Sequence, residues 1–250
     1  MKNKVLTGLL LVLIGGWGNL LAQNAGSNYA RQVNTLIGTK GVGLTSGYLY
    51  PGATYPYGMV QFTPSYFSKR SGFVINQLSG GGCEHMGNFP TFPVKGKLKM
   101  SPDNILNYRI NISEEKGHAG YYEAMVQEDI KAKLTVTERT GMASYEYPAD
   151  QQYGTVIIGG GISATPIEQA AIVITAPNKC EGYAEGGNFC GLRTPYKVYF
   201  VAEFDADALE SGTWKRDELK PNTTFAEGEY SGVYFTFDVS KKKNVQYKIC

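Results

Sequence analysis

Between residues 121 and 239 the chain repeatedly alternates apolar and polar positions. Ile130-Lys131-Ala132-Lys133-Leu134-Thr135-Val136-Thr137 places an apolar side chain at every even position and a polar one at every odd position. A period of two is that of a β-strand with one face in a core and the other in water. Tyr196 to Phe204 and Gly232 to Val239 are rich in the aromatic and β-branched residues that strands favour. Thr155-Val156-Ile157-Ile158, stopped by Gly159-Gly160-Gly161, fits a buried central strand. Tyr121 to Gln127 and Met142 to Tyr147 are further strands, with Gly, Pro and Asp between them. Helical periodicity is scarce: Asp205 to Leu209 and Pro166 to Ala171 could each form a single turn. Strands without intervening helices exclude a parallel α/β sheet and predict an all-β, antiparallel sandwich.

The front of the chain follows a different rule. Lys2 and Lys4 precede an apolar run from Val5 to Ile14, and a small residue, Ala22, stands before Gln23. That order predicts a secretory signal peptide over 1–22, a short leader over 23–32 and a β-sandwich domain over 33–250. The apolar run breaks at Gly15-Gly16, short of the ~20 residues that span a bilayer. No membrane span is therefore expected after cleavage. Losing Lys2 and Lys4 lowers the 24 Lys and Arg to 22, equal to the 22 Asp and Glu. An exported chain without net charge or a basic stripe disfavours nucleic acid as a partner. A periplasmic or secreted location follows from the same reading.

Composition adds little beyond this. With 42% hydrophobic residues and 31 Gly and 11 Pro in 250, the chain is turn-rich but has ample material for one large core. Four cysteines remain after cleavage: Cys83, Cys180, Cys190 and Cys250. A Cys180–Cys190 bridge across the stretch Gly182-Tyr183-Ala184-Glu185-Gly186-Gly187 is one expectation, and four unpaired thiols are the other. There is no CxxC pair, and His85 and His118 are the only histidines, so a zinc site has little support. The triple glycines lack the GxGxxG spacing, Gly96-Lys97 is followed by Leu98 rather than a hydroxyl, and Gly161-Ile162-Ser163-Ala164-Thr165 departs from a nucleophile elbow at its last position. Nucleotide binding, serine hydrolysis and zinc proteolysis are thereby set aside.

The stretch from Gly47 to Pro93 carries the chemistry. Tyr50-Pro51-Gly52-Ala53-Thr54-Tyr55-Pro56-Tyr57-Gly58-Met59-Val60-Gln61 packs two Pro and two Gly into a shaped loop that leads into a strand. Gly72 to Pro90 then crowds amide, hydroxyl, carboxyl and imidazole groups among glycines. Side-chain amides and carboxylates can bond neighbouring hydroxyls in pairs, which suits a ligand with many hydroxyls. A glycine-rich connection that satisfies its own backbone is the plainer alternative.

At these residues the chain resembles the N-terminal domain of glycoside hydrolase family 92, calcium-dependent exo-acting α-mannosidases. Val33-Asn34-Thr35-Leu36-Ile37-Gly38-Thr39 is similar to the family's VNPFIGT, and Tyr50 to Gln61 to its FPGATVPFGMVQ. Gly72-Phe73, Leu78-Ser79-Gly80 and Gly82-Cys83 resemble GFSHTHLSGTGC. Gly120-Tyr121-Tyr122, Arg139-Thr140-Gly141 and Val198-Tyr199-Phe200 follow in the family's order. The resemblance implies a large antiparallel β-sandwich of the galactose-mutarotase-like supersandwich type. It also implies a mannose-containing glycan as substrate, a calcium cofactor, and inversion by two carboxyl groups spaced to admit a water.

Those carboxyl groups belong to the family's helical catalytic domain, so no catalytic residue and no metal ligand is assigned to this chain. The chain ends at Cys250 within an apparent strand, which predicts a domain cut short with an open sheet edge. Alone, it is expected to be inactive, with the missing helical catalytic domain as its partner. The resemblance places Asn76, Gln77, Ser79, Glu84 and His85 at the rim of the sugar pocket, with Ile75-Asn76-Gln77 standing where the family has His-Thr-His. A free-standing lectin-like carbohydrate-binding module is the alternative function. An outer-membrane barrel ranks last, because Lys131, Lys133, Thr135 and Thr137 share one face. Trp214 is weighed as a stacking platform for sugar, against the commoner fate of a core aromatic.

Overall fold

The computed structural model describes residues 29–39, 49–65, 72–78, 86–102 and 111–250. The expected signal peptide and most of the leader lie outside the described residues. Tyr29–Gln32 forms a short 3-10 turn within a unit that ends at Val33, and Asn34–Cys250 forms the second unit. The fold below is that of the second unit.

Its strands form two antiparallel sheets. The first runs in the order β1 (Ala53–Thr54), β2 (Gln61–Pro64), β3 (Phe73–Val74), β4 (Thr91–Lys95), β9 (Tyr153–Gly159), β16 (Ser231–Asp238), β13 (Glu210–Lys215) and β14 (Glu218–Pro221). The second runs β15 (Phe225–Glu227), β10 (Ile167–Ala176), β11 (Lys179–Gly186), β12 (Tyr196–Phe204), β17 (Asn244–Ile249), β8 (Gly141–Glu146), β7 (Ile130–Val136), β6 (Tyr121–Val126) and β5 (Ile112–His118). The architecture is the expected all-β sandwich, and no α-helix occurs among the described residues.

The period-two pattern decides which side chains enter the core. On β7, Ile130, Ala132 and Leu134 are fully buried while Lys131 and Lys133 face outward. From the first sheet, Val233, Phe235 and Phe237 of β16 are buried in the same core. Phe204 of β12 bridges the sheets, with its ring 4.8 Å from that of Phe235 and 5.1 Å from that of Phe237. Each large apolar side chain so buried contributes roughly 1.5–3 kcal/mol. β9 lies between β4 and β16, buried along nearly its whole length, as its continuous apolar run predicts.

Two local expectations are overturned. Pro166 to Ala171 is not a helical turn, because Ile167 to Ala176 is the long strand β10. Its inward residues Ala170, Ile172 and Ile174 alternate, and register shifts near each end hide the period. Asp205 to Leu209 is likewise an irregular link between β12 and β13. The expected open edge at the last strand is also absent. β17 lies inside the nine-stranded sheet, paired with β12 through Ala202↔Ile249 and with β8 through Asn244↔Glu146. Its inward residues Val245, Tyr247 and Ile249 alternate with polar ones, so both backbone edges and one side-chain face are in use.

Candidate functional site

The Pro/Gly loop enters the fold by its ends. Ala53, Val60 and Phe62 are buried, and the Gly52 amide donates to Thr63 Oγ1 at 3.2 Å. Gly52 faces the chain so closely that an added Cβ would lie 2.2 Å from the Phe62 carbonyl oxygen, which requires glycine there. The tip projects outward: the Tyr57 side chain is fully exposed, Met59 is 73% exposed, and Tyr55 is half exposed. A turn bond from Gly58 N to Tyr55 O (2.9 Å) and a bond from Met59 N to Glu138 O (2.7 Å) hold this tip.

Behind it, Gln61 N donates to Ile75 O at 3.0 Å and Gln61 forms a parallel bridge with Asn76. That contact fixes Asn76 just beyond β3, facing the segment that leads into β4. There Asn88 N donates to Asn76 Oδ1 (2.8 Å), and Asn76 Nδ2 donates back to Asn88 Oδ1 (3.1 Å). The hydroxyl of Tyr196, at the start of β12, donates to the same Asn88 oxygen at 3.1 Å. The cluster thus ties the first sheet to the second. Met86, Gly87 and Phe89 around Asn88 have φ of 58°, 73° and 56°. A bulky residue such as Phe89 in the left-handed region is strained, and strain of this kind gathers at functional sites. Phe89 is held by its ring, fully buried and 4.2 Å from that of Phe200.

Three side chains at this point carry polar atoms with no partner. Gln77 is 2% exposed, and neither its Oε1 nor its Nε2 makes a hydrogen bond. Asn88 Nδ2 and Thr165 Oγ1 are also buried and unpaired. Gly87 joins these groups: a Cβ there would lie 3.6 Å from the Gln77 amide carbon and 3.4 Å from Ala164 Cβ, and Ala164 N donates to Met86 O at 2.8 Å. An unpaired buried amide costs roughly 1–3 kcal/mol, so several in one place mark a surface shaped for a hydrogen-bonding ligand. Amides offer donors and acceptors side by side, the match for vicinal hydroxyls.

Of the residues expected at the site, Asn76 and Gln77 meet here. Ser79, Glu84 and His85 lie outside the described residues. Asn88, Tyr196 and Thr165 were missed by sequence reasoning. Asn88 stands within the same polar stretch, but its partner Tyr196 reads only as part of a strand. Among the described residues no three His, Cys, Asp or Glu side chains converge as a metal site, so no calcium ligand is assigned here. Trp214 is no sugar platform: it is 1% exposed and packs over Gly232 on the first sheet.

The expected Cys180–Cys190 bridge is not formed. Cys180 is a free, fully buried thiol, and burial pushes its pKa well up. Cys190 is disulfide-bonded elsewhere. Cys180 is the second residue of β11 and Cys190 follows its far end, so about 20 Å of extended chain separates them. A disulfide needs Cα atoms within about 7 Å.

Comparison with known proteins agrees with this architecture. The family profile described as the Glycosyl hydrolase family 92 N-terminal domain matches residues 32–250. A protein described as an uncharacterized secreted glycosidase of Arthroderma benhamiae is 31% identical over 138 residues, covering 47% of this chain and 17% of its own length. A family 92 α-mannosidase of Bacteroides thetaiotaomicron, solved with mannoimidazole, superposes with a TM-score of 0.75 at 23% identity, over 88% of this chain and 32% of that one. A family 92 inverting mannosidase of the same organism gives a TM-score of 0.73 at 21% identity, over 91% of this chain and 32% of that one. The chain therefore spans about a third of the solved relatives and less of the curated one, and the solved relatives share its sandwich fold. Because the profile covers nearly the whole chain, this chain belongs to glycosyl hydrolase family 92, with residues 32–250 matching that family's N-terminal domain.

Proposed function

We propose that this chain is the carbohydrate-facing N-terminal domain of an exported α-mannosidase-type glycosidase, inactive until joined to a helical catalytic domain. The observation that carries this reading is the buried, unpartnered amide of Gln77 beside Asn76 and Asn88. It provides hydroxyl-binding groups and no pair of carboxyl groups. In the proposal, the cluster lines one wall of a mannose pocket. The catalytic part supplies the general acid, the general base and the calcium ion. Calcium, when bound, would draw sugar hydroxyls toward a distorted ring. No step of that chemistry is assigned to residues of this chain. The outward aromatic tip at Tyr55, Tyr57 and Met59 gives the second domain an apolar contact, as large exposed apolar groups commonly do. Export rests on the sequence of residues 1–22 and on the name of the secreted relative.

The experiment joins the chain to the helical catalytic domain of a family 92 relative and follows release of nitrophenol from an aryl α-mannoside. The 250-residue chain alone should show no turnover, and the joined protein should. Asn76→Ala in the joined protein should lower kcat/KM roughly tenfold or more, the usual loss when a bound hydroxyl has its partner removed. Turnover that ignores this substitution, or that the isolated chain already performs, would refute the reading.

A further inference from the structure

The outward face of the nine-stranded sheet changes character between its two halves. Across β6, β7 and β8 it is a ladder of charge, with Lys131 paired to Glu123 at 3.1 Å and Lys133 reaching Glu146 at 4.0 Å. That is an ordinary solvated face. Across β15, β10, β11 and β12 the same face carries an apolar patch at its centre. Phe225, Val173, Glu181 and Val201 form one cross-strand row, and Ala171, Tyr183 and Tyr199 form the next. Tyr199 is 67% exposed and Phe225 is 54% exposed, although each could have been any polar residue at no cost to the core.

These residues enclose a groove of about 370 Å3, at the lower end of the range for small-molecule sites. Ala171 and Val173 are its floor. Tyr183 and Tyr199 stand on one side, with ring centroids 6.0 Å apart and planes tilted by 47°. Phe225 stands on the other side, two strand spacings or about 10 Å from β11. Lys197 closes one end, with its amine 4.2 Å from the Tyr183 ring centre and its charge neutralised by Glu185. Glu181 opens onto the groove and has no ion-pair partner among the described residues.

We infer that this groove is a second carbohydrate site, which takes one pyranose ring of a neutral glycan chain. The C–H face of the ring lies on the tyrosines and Phe225, and Glu181 accepts from adjacent hydroxyls. The alternatives fit the chemistry less well. A phosphate-bearing ligand would meet the carboxylate of Glu181, and Lys197 at the end of the groove is already paired to Glu185. A purely apolar ligand would strip water from Glu181 without replacing its hydrogen bonds. A protein interface of standard size needs about 800 Å2 per partner, far more than one such groove presents. The site is distinct from the Asn76 cluster, since Tyr196 points inward from β12 and Tyr199 points outward. It rests on the preceding reading only for the choice of mannose.

The test is calorimetric titration of the 250-residue chain with soluble α-mannan. Saturable binding is expected. Tyr199→Ala and Phe225→Ala should each weaken it roughly tenfold, the worth of one aromatic stack. Tyr199→Phe keeps the ring and should keep the affinity, and Lys133→Ala, on the charged half of the same face, should leave it unchanged. Thermal midpoints of these exposed-site variants should match that of the parent, which separates lost binding from lost fold. Absence of saturable binding would overturn the inference. So would binding that survives both alanine variants, or that falls equally with Lys133→Ala. Failure here leaves the kcat/KM test of Asn76 in the joined enzyme untouched, so the two readings fail separately.

Discussion

Thr91, Tyr145 and Tyr247 meet between the two sheets in a closed triangle of hydroxyls. Tyr247 donates to Thr91 Oγ1 at 2.6 Å, the two phenols are 3.0 Å apart, and Tyr145 lies 3.1 Å from Thr91. Thr91 passes its own proton to the Phe73 carbonyl at 3.2 Å. Tyr247→Phe should therefore cost about 1–2 kcal/mol in chemical denaturation, since Tyr145 can still serve Thr91. Thr91→Val should cost more, because it orphans the Tyr247 proton and the Phe73 carbonyl together. A second single-residue prediction concerns the thiols. A thiol reagent should label exposed Cys250 in the folded protein and reach Cys180 only after denaturation, because burial keeps that thiol protonated and enclosed. Labelling of Cys180 at the native rate of Cys250 would contradict the fold. The candidate site was half legible at this scale. Asn76 and Gln77 stand out as polar residues among glycines. Asn88 becomes meaningful only through Tyr196, which lies 108 positions away along the chain.

The strands show a similar division. β6, β7, β8, β9, β12 and β16 could be read from alternation or from an apolar run, and their bounds fall within a residue or two of those expected. β10 could not, because register shifts at Ile167/Gln169 and Ile174/Ala176 break its period. β11 could not, because Gly182 and Gly186 occupy inward positions that sequence logic assigns to a loop. Gly182 is small because the Phe200 ring lies over it, where a Cβ would sit 2.9 Å from that ring. The same device operates on β16, where Gly232 makes room for Trp214 of β13. A Cβ at residue 232 would lie 2.2 Å from the Trp214 ring and 2.4 Å from the Ile158 carbonyl oxygen. Gly232→Ala should therefore destabilise the domain by roughly 2–3 kcal/mol, the range of overpacked cores. Tryptophan fluorescence during urea unfolding would report it, and an unchanged midpoint would mean that Trp214 packs elsewhere.

At the scale of the whole molecule, the core is rich in tyrosine, and that sets its response to alkali. Burial raises the pKa values of Tyr145, Tyr147 and Tyr247 above the ordinary phenol value. Below about pH 10 these phenols are neutral in both the folded and the unfolded chain, so their contribution is intact. Above that value the unfolded chain releases protons that the folded chain retains, and stability falls as pH rises. The melting temperature should decline steadily from about pH 10 upward, and phenolate absorbance of these three residues should appear only together with unfolding. The nine-stranded sheet adds a constraint of time. Among the described residues its two halves, β15-β10-β11-β12 and β8-β7-β6-β5, are joined in the sheet through β17, which follows all of them along the chain. Until residues 244–249 have been made, each half displays a raw backbone border to every neighbouring chain, so this sheet stays open to mispairing until β17 seals it.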